Sequence, residues 1–591
     1  MPDVSRRLLL KAGAALGIAG FVPQSNFAEE GHSEWDSSPE LDKYVHPLPI
    51  PEERAPDGRH RGAEYHEVEV QEAQHSFHPD LDDTTIWGFD GQFPGPVIAG
   101  RRGRRLAVKF DNSQMPDDHL LEVDERIHGT TTENYVGHDD PVPEVRTVTH
   151  FHGLNVAPGS DGQAEMWTSP DGVTGPRFER EVQVLPNRQS RLTTTYHDHA
   201  RGISRLNNYA GLVGAYYIRS RMEERLDLPD GDYDIPLVLA DRSFNDDGSL
   251  HYPDEFVANF AGDTPTVNGA AWPYLEVEPR KYRFRILNPS NGRVYGLGFD
   301  KAEDSDDVHA HGASEVPTMH QISPGHGFLD DVVSIGHGGD LEKLVVAPFE
   351  RADIVVDFSD HAGETFTVTN DAEFPYEGGS GHDDGMDGGM DGGMDGGMGH
   401  GNMDHPQIHE IMQIRVKDTA TTQDTTTHPS NLRLPNRRRS PDPNDARTTR
   451  EITMEMGMDD SGLMTHTLNG RRWGDGIHIK PQLGSTEVWE LVNNTNHTHP
   501  IHIHLVDFEV LSRESRDGHH GRQPPLPNER GGKDVVRVNP GETVRIAIEF
   551  GDFPGQFPFH CHILEHEEHD MMRSFEVVTG DAPGDHPDWG N

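Results

Sequence analysis

Cysteine is almost missing from this chain. Cys561 is the only one among 591 residues, so no intramolecular disulfide can form. Lysine is scarce as well, with arginine favoured, and the 51 basic side chains face 101 acidic ones for a formal net charge of −50. Such a surface repels nucleic acid and anionic membranes, which argues against both as partners. Its self-repulsion is relieved in concentrated salt, where the screening length falls to about 3 Å at 1 M, so a salt-loving source is expected. Long apolar runs are lacking too. The run near the N-terminus is broken by Lys11 and bounded by Pro23, too short for a permanent membrane span. Hydrophobic residues make up 33% of the chain, slightly low for a globular protein, and the length implies several domains.

What surrounds the lone thiol is histidine. The tripeptide His560-Cys561-His562 is followed by His566 and Met571. If 556–563 ends a β-strand, alternation sends His560 and His562 to one face and Cys561 to the other, so that one tripeptide touches two metal sites. A thiolate, an imidazole five residues on and a thioether ten residues on are ligands of a blue-copper electron-transfer centre, which still needs a second imidazole. His499 is the candidate. Three more segments set histidines two apart: His150 and His152, His197 and His199, His502 and His504. On strands each pair shares a face, which suits a multinuclear site drawn from the N-terminal and C-terminal thirds together.

These four segments, in this order, resemble the copper signatures of the multicopper oxidases. The runs 150–167 and 197–217 and the stretch ending at Arg573 are most similar to bacterial spore-coat-type laccases and bilirubin oxidases. The resemblance implies an all-β chain of three cupredoxin-like Greek-key β-sandwich domains. It implies type 1 copper on His499, Cys561, His566 and, axially, Met571, and type 2 copper on His150 and His502. The type 3 pair would take His152, His197, His199, His504, His560 and His562. Met572 lies one residue too far along for the axial role and reads as packing. Glu567 beside the dioxygen path and Asp161 behind the type 2 copper are implied as carboxylates for proton supply. A small aromatic donor (a phenol, aromatic amine or tetrapyrrole) would give up electrons singly at the type 1 site, expected near the surface with His499 and His566 on loops. The electrons would cross Cys561 to the cluster, where dioxygen becomes water.

The remaining stretches place these motifs. Ser5 to Lys11 and the apolar run behind it resemble a twin-arginine export signal, read as 1–28, which implies a secreted protein handled by the twin-arginine machinery. Residues 29–60, polar and Pro-rich, read as a mobile arm. Alternating runs with Gly and Pro punctuation place domain 1 at 61–222, a copper-free domain 2 at 223–377 and domain 3 at 407–580, with a tail at 581–591. His309-Ala310-His311 sits in an acidic run without alternation and reads as a solvated insertion. Between 378 and 406, Met386, Met390, Met394 and Met398 recur with paired glycines, then Met403. That tract is a flexible linker or a gatherer of Cu(I). The second reading supports an alternative function, cuprous oxidation in copper tolerance. Copper storage without turnover is a third, disfavoured because storage needs no dioxygen-reducing cluster; a nitrite reductase would leave the type 3 ligands redundant. Asn493 and Asn496 head glycosylation sequons, and unmodified capping roles are expected for both.

Overall fold

The computed structural model describes residues 38–138, 140–302, 316–378, 405–435, 441–516 and 521–580. The export signal, His309-Ala310-His311, Met386 to Met403 and the tail from 581 lie outside the described residues. Among the described residues no helix is long and apolar enough to cross a membrane.

Alternation builds the strands. In Ala63–His75, Val68 and Val70 are buried and the glutamates beside them exposed, so one face turns to a core. This strand pairs parallel to Leu106–Asp111 and antiparallel to Thr84–Phe89. Against that sheet lies a four-stranded one running Gly95–Arg101, Val213–Arg219, Leu192–Asp198, Thr149–Phe151. Val68, Trp87, Leu106, Phe151 and Tyr196 fill the space between them, closing the first sandwich. The middle sandwich sets an eight-stranded sheet around Lys281–Leu287 and Arg351–Asp357 against a five-stranded one. In the third, a six-stranded sheet containing Thr486–Asn493 and Glu542–Glu549 covers a four-stranded sheet ordered Val535–Val538, His499–Ile503, Gly555–Cys561, Met572–Val577. The fold is the all-β, three-sandwich cupredoxin architecture that the motifs imply.

Two expectations about the course of the chain need correction. The 38–60 stretch is not a loose arm. Leu48 is part of the middle core; its N–H donates to the Tyr274 carbonyl at 2.7 Å, and the Val97 N–H donates to the Glu52 carbonyl at 2.9 Å. Polar, Pro-rich composition conceals such a strap, because an edge-laid segment needs few N–H donors. Nor does the third sandwich begin at 407. Glu410–Val416 pairs with Thr365–Asn370 and Tyr274–Val277, so the chain returns to complete the middle sandwich, and the strands of the third start with Thr448–Met458.

The middle sandwich holds none of the predicted histidine ligands yet ties its neighbours together. The Asp353 carboxylate accepts from Arg191 of the first sandwich at 2.6 Å and from Arg283 of its own sheet at 2.5 Å. Burial alone would raise that carboxyl, but Arg191, Arg283 and Arg285 hold it well below the usual carboxylate range. From the same face of the Arg351–Asp357 strand, Arg351 pairs with both oxygens of Asp534 in the third sandwich. Glu350 accepts from Lys533 at 2.9 Å and Arg537 at 2.5 Å.

Because the folded-state carboxyl of Asp353 is depressed, the stability it confers is complete above about pH 4 and is lost as the pH falls further. Asp353→Asn is therefore expected to lower the unfolding free energy by about 3–5 kcal/mol at neutral pH, since it leaves guanidinium charge buried without its partner. Its denaturation curve should approach that of the parent in acid. Curves that coincide at pH 7 would contradict this clamp.

Candidate metal centre

The strand Gly555–Cys561 ends at the thiol and runs antiparallel to His499–Ile503, with Cys561 opposite Ile501 and His560 opposite His502. Alternation sends Cys561 to one side of the sheet and its neighbouring histidines to the other. Cys561 Sγ stands 3.5 Å from His499 Nδ1 and 3.7 Å from His566 Nδ1, and the two nitrogens are 3.2 Å apart. Edges of that length enclose an ion with bonds of about 2.0–2.3 Å to nitrogen and sulfur, the trigonal His₂Cys arrangement. Met571, buried beside them, is fixed by its backbone: its carbonyl accepts from Cys561 N–H at 3.0 Å, and its N–H donates to the His566 carbonyl at 2.9 Å.

The far nitrogens of both histidines are held too. The Thr495 hydroxyl donates to Asn493 Oδ1 at 2.8 Å and so accepts from His499 Nε2 at 2.7 Å. Asn259 Oδ1 accepts from His566 Nε2 at 3.1 Å. Each outward N–H fixes the tautomer that leaves Nδ1 free to face the sulfur. The expectation that this site lies near the surface on loops is corrected. His499 opens a strand, His566 sits in the helix Leu564–Glu568, and both are fully buried. Asn493 is buried as well, with its amide donating to the His497 and Val538 carbonyls, the capping role expected of it.

Behind the sheet, eight histidines meet. His150, His152, His197 and His199 come from the facing ends of the Thr149–Phe151 and Leu192–Asp198 strands; His502, His504, His560 and His562 come from the third sandwich. The Nε2 atoms of His199, His504 and His560 form a triangle with sides of 3.2, 3.3 and 3.2 Å. His152 Nδ1 lies 3.2 Å from His562 Nε2, with the His197 ring 5.2 Å from that of His562. The His150 and His502 rings are 5.9 Å apart. The Nε2 atoms of His150, His197 and His502 are buried without a hydrogen-bond partner; in a purely structural histidine that would be an uncompensated loss, and in a ligand it is the requirement. Burial lowers the pKa of all eight rings, keeping them neutral with a lone pair to give.

Six of the eight outward-facing nitrogens again have fixed acceptors. His150 Nδ1 donates to the Asp161 carbonyl at 2.6 Å, His502 Nδ1 to the Asp534 carbonyl at 2.8 Å, His197 Nδ1 to the Asp198 carbonyl at 2.9 Å and His560 Nδ1 to the Cys561 carbonyl at 3.0 Å. The Asp161 carboxylate takes His504 Nδ1 at 2.9 Å. His152 is reversed, its Nε2 turned to the Asp534 carboxylate at 3.2 Å, which is why Nδ1 faces inward. Glu567 spans two ligands, with Oε1 3.3 Å from His199 Nδ1 and Oε2 3.1 Å from His560 Nδ1. Burial pushes its carboxyl up to about 7. All the histidine, cysteine and methionine positions predicted for the two copper centres are thus gathered in two adjoining groups. Thr495, Asn259 and Asp534 were not legible. No spacing marks Asn259 or Asp534, because each acts on a ligand from a distant part of the chain, and Thr495, four residues before His499, carries no signal that sets it apart from other threonines.

A family model described as multicopper oxidase matches residues 440–581. The chain is 52% identical to a laccase of Haloferax volcanii over 98% of its own length and 91% of the relative's. It is 37% identical to a laccase of Bacillus subtilis over 91% and 99% of the two chains, and 33% identical to a bilirubin oxidase of Albifimbria verrucaria over 92% and 82%. Among solved structures, a laccase from Pediococcus acidilactici superposes with a TM-score of 0.67 at 26% identity, covering 93% of this chain and 96% of that one.

Thr495→Val removes the acceptor that fixes the His499 tautomer. The thiolate site is expected to lose about 10–100-fold in copper affinity, the usual effect of removing a partner behind a ligand, while copper at the histidine cluster stays. Chelator titration followed by visible absorbance and by total copper separates the two, and equal retention at both sites in parent and variant would contradict the role given to Thr495.

Proposed function

The chain belongs to the multicopper oxidase family, and from that premise we propose a division of labour among its residues. The protein is a laccase-like, copper-dependent oxidoreductase that oxidises phenols, aromatic amines or bilirubin-like tetrapyrroles one electron at a time and reduces dioxygen to water. His499, Cys561, His566 and Met571 would hold the type 1 ion, and His150 and His502 the type 2 ion. The type 3 pair would divide as His199, His504 and His560 on one ion and His152, His197 and His562 on the other. When bound, these ions accept single electrons at the thiolate site and supply four to dioxygen at the cluster. One observation carries the reading: the residue facing one site is bonded through the backbone, on both sides, to residues facing the other.

The chain's own groups do the rest. Glu567, shared between His199 and His560 and with its carboxyl pushed up by burial to about 7, can take up and release a proton near neutral pH beside the cluster. Asp161 orients His150 through its carbonyl and His504 through its carboxylate. Storage of copper is not favoured, since eight opposed imidazoles, six of them with fixed tautomers, serve a defined cluster rather than a reservoir. We place the protein outside the cell, exported through the twin-arginine route on the strength of the Arg6-Arg7 pair before an apolar run, and in a salty medium on the strength of its net charge of −50.

Oxygen uptake with a phenolic donor tests the reading. Glu567→Gln, loaded with its full copper, should lose at least about 10²-fold in turnover; unchanged uptake would remove Glu567 from proton supply. The parent should gain stability between about 0.1 and 1 M salt as its surface charge is screened, and a fall would refute the salt-adapted reading. Replacing Arg6 and Arg7 with lysine should strand the product inside the cell; normal export would refute the twin-arginine assignment.

A further inference from the structure

The net charge of −50 hides a local reversal on the first sandwich. Arg101, Arg102, Arg104, Arg188, Arg219 and Arg221 line one open cavity of about 660 Å³, and its other lining residues are uncharged. In a chain whose acidic side chains outnumber its basic ones 101 to 51, a wall of six cations without a carboxylate is not what dispersed charge produces. Two of the six are engaged from outside the cavity: Arg101 pairs with Glu224 at 2.6 Å and Arg219 with Glu53 at 2.7 Å. Among the described residues no ion pair engages Arg102, Arg104, Arg188 or Arg221. Of these four, Arg102 is half-buried and the rest are exposed.

Three stretches of backbone bring the arginines together, and each is fixed. Gly95–Arg101 runs parallel to Val213–Arg219, which sets Arg101 beside Arg219. The turn after Arg101 reverses at Gly103, whose φ of 75° suits glycine. Within it the Arg102 N–H donates to the Arg219 carbonyl at 2.9 Å and the Arg104 N–H to the Arg101 carbonyl at 2.8 Å. Asn187 draws in the third stretch: its carbonyl accepts from the Gly103 N–H at 2.6 Å, and its amide donates to the Arg104 carbonyl at 3.1 Å. Arg188, next in sequence, is thereby held against the turn, where its carbonyl accepts from Arg102 Nε at 3.5 Å. The roots of the arginines are anchored before any ligand arrives, so little backbone order is left to impose on binding.

Guanidinium groups recognise phosphate through paired N–H donors. A single phosphate group carries a charge of about −1.5 to −2 at neutral pH, too little to offset four cations without ion-pair partners spread over three stretches of chain. A narrower cleft of about 350 Å³ adjoins the cavity and shares Arg102 and Ser220 with it, but Asp507 lines that cleft, and its carboxylate confines an anion to the arginine end. We propose that the arginine cavity is a binding site for a short condensed phosphate, with Arg102, Arg104, Arg188 and Arg221 gripping successive phosphate groups and Arg101 and Arg219 completing the wall. The site uses no residue of either copper centre, so it stands or falls independently of the oxidase reading.

Calorimetric titration of tripolyphosphate into the copper-loaded full chain tests the site, with inorganic phosphate and sulfate as single-group comparisons. One equivalent of tripolyphosphate should bind at least about tenfold more tightly than either and should raise the unfolding temperature, because only the folded chain binds it. Binding should persist in about 1 M salt, where a screening length of about 3 Å removes diffuse attraction and leaves contact pairs. Arg104→Gln combined with Arg188→Gln should weaken it at least about tenfold. Arg59→Gln combined with Arg530→Gln, the same charge change at exposed arginines outside the cavity, should leave it unchanged. Equal losses in the two double variants, or binding gone in 1 M salt, would reduce the effect to diffuse charge and overturn the proposal. Total copper after dialysis should be unchanged, and heat that tracks copper loss would be chelation and would overturn it too. A parent dimer that the first double variant dissociates, with no tripolyphosphate bound, would give the patch to the acidic surface of a second copy and likewise refute the phosphate site.

Discussion

The structure depends on keeping eight uncharged imidazoles in one dry space between two sandwiches, each turned so that a chosen nitrogen faces inward. An imidazole is locked in that orientation when its other nitrogen has a fixed acceptor, as six of the eight have. Backbone carbonyls of Asp161, Asp198, Asp534 and Cys561 serve four of the rings. Those carbonyls are as immobile as the strands and turns that carry them, so ligand geometry becomes strand geometry. Asp534 does double duty, its carbonyl on His502 and its carboxylate on His152, one ligand from each side of the cluster. The same carboxylate is gripped by Arg351 of the middle sandwich. The domain without predicted copper ligands thus sets the register in which the two halves of the cluster meet.

The thiolate site obeys the same rule with one consequence for electron entry. His499 and His566 are fixed by Thr495 and Asn259 and are closed off from solvent, so a donor cannot touch either ring. Electrons must pass through a covering side chain, and the ring lying flat on His566 is His466. Covering the site excludes water from a soft metal centre and narrows the approach to a small region of surface.

Much of this was legible beforehand, for a reason particular to the chemistry. Ligands two apart on strands, and ligands flanking a lone cysteine, leave a distinctive spacing, so His150 to His199 and His499 to Met571 could be picked out by number, while their division among copper types came from the family resemblance. Glu567 and Asp161 were reachable only through family resemblance, since carboxylates are common in so acidic a chain. Thr495, Asn259, Asp534 and His466 were not reachable at all. Asn259, Asp534 and His466 act from distant parts of the chain, where sequence distance carries no information, and Thr495, though only four residues before His499, has no residue-type signal of its own. The strap at 38–60 and the return strand Glu410–Val416 were misread for a related reason: local composition reports flexibility and polarity, while edge pairing is decided by a distant partner.

The central claim is that one sulfur serves one copper site while its bonded neighbours serve the other. The direct test is the visible and electron paramagnetic resonance spectrum, with total copper, of the parent and of Cys561→Ser. The account predicts an intense visible charge-transfer band in the parent that disappears in the variant, with the copper of the histidine cluster retained. A parent that is colourless when fully loaded, or a variant that keeps the band, would contradict it.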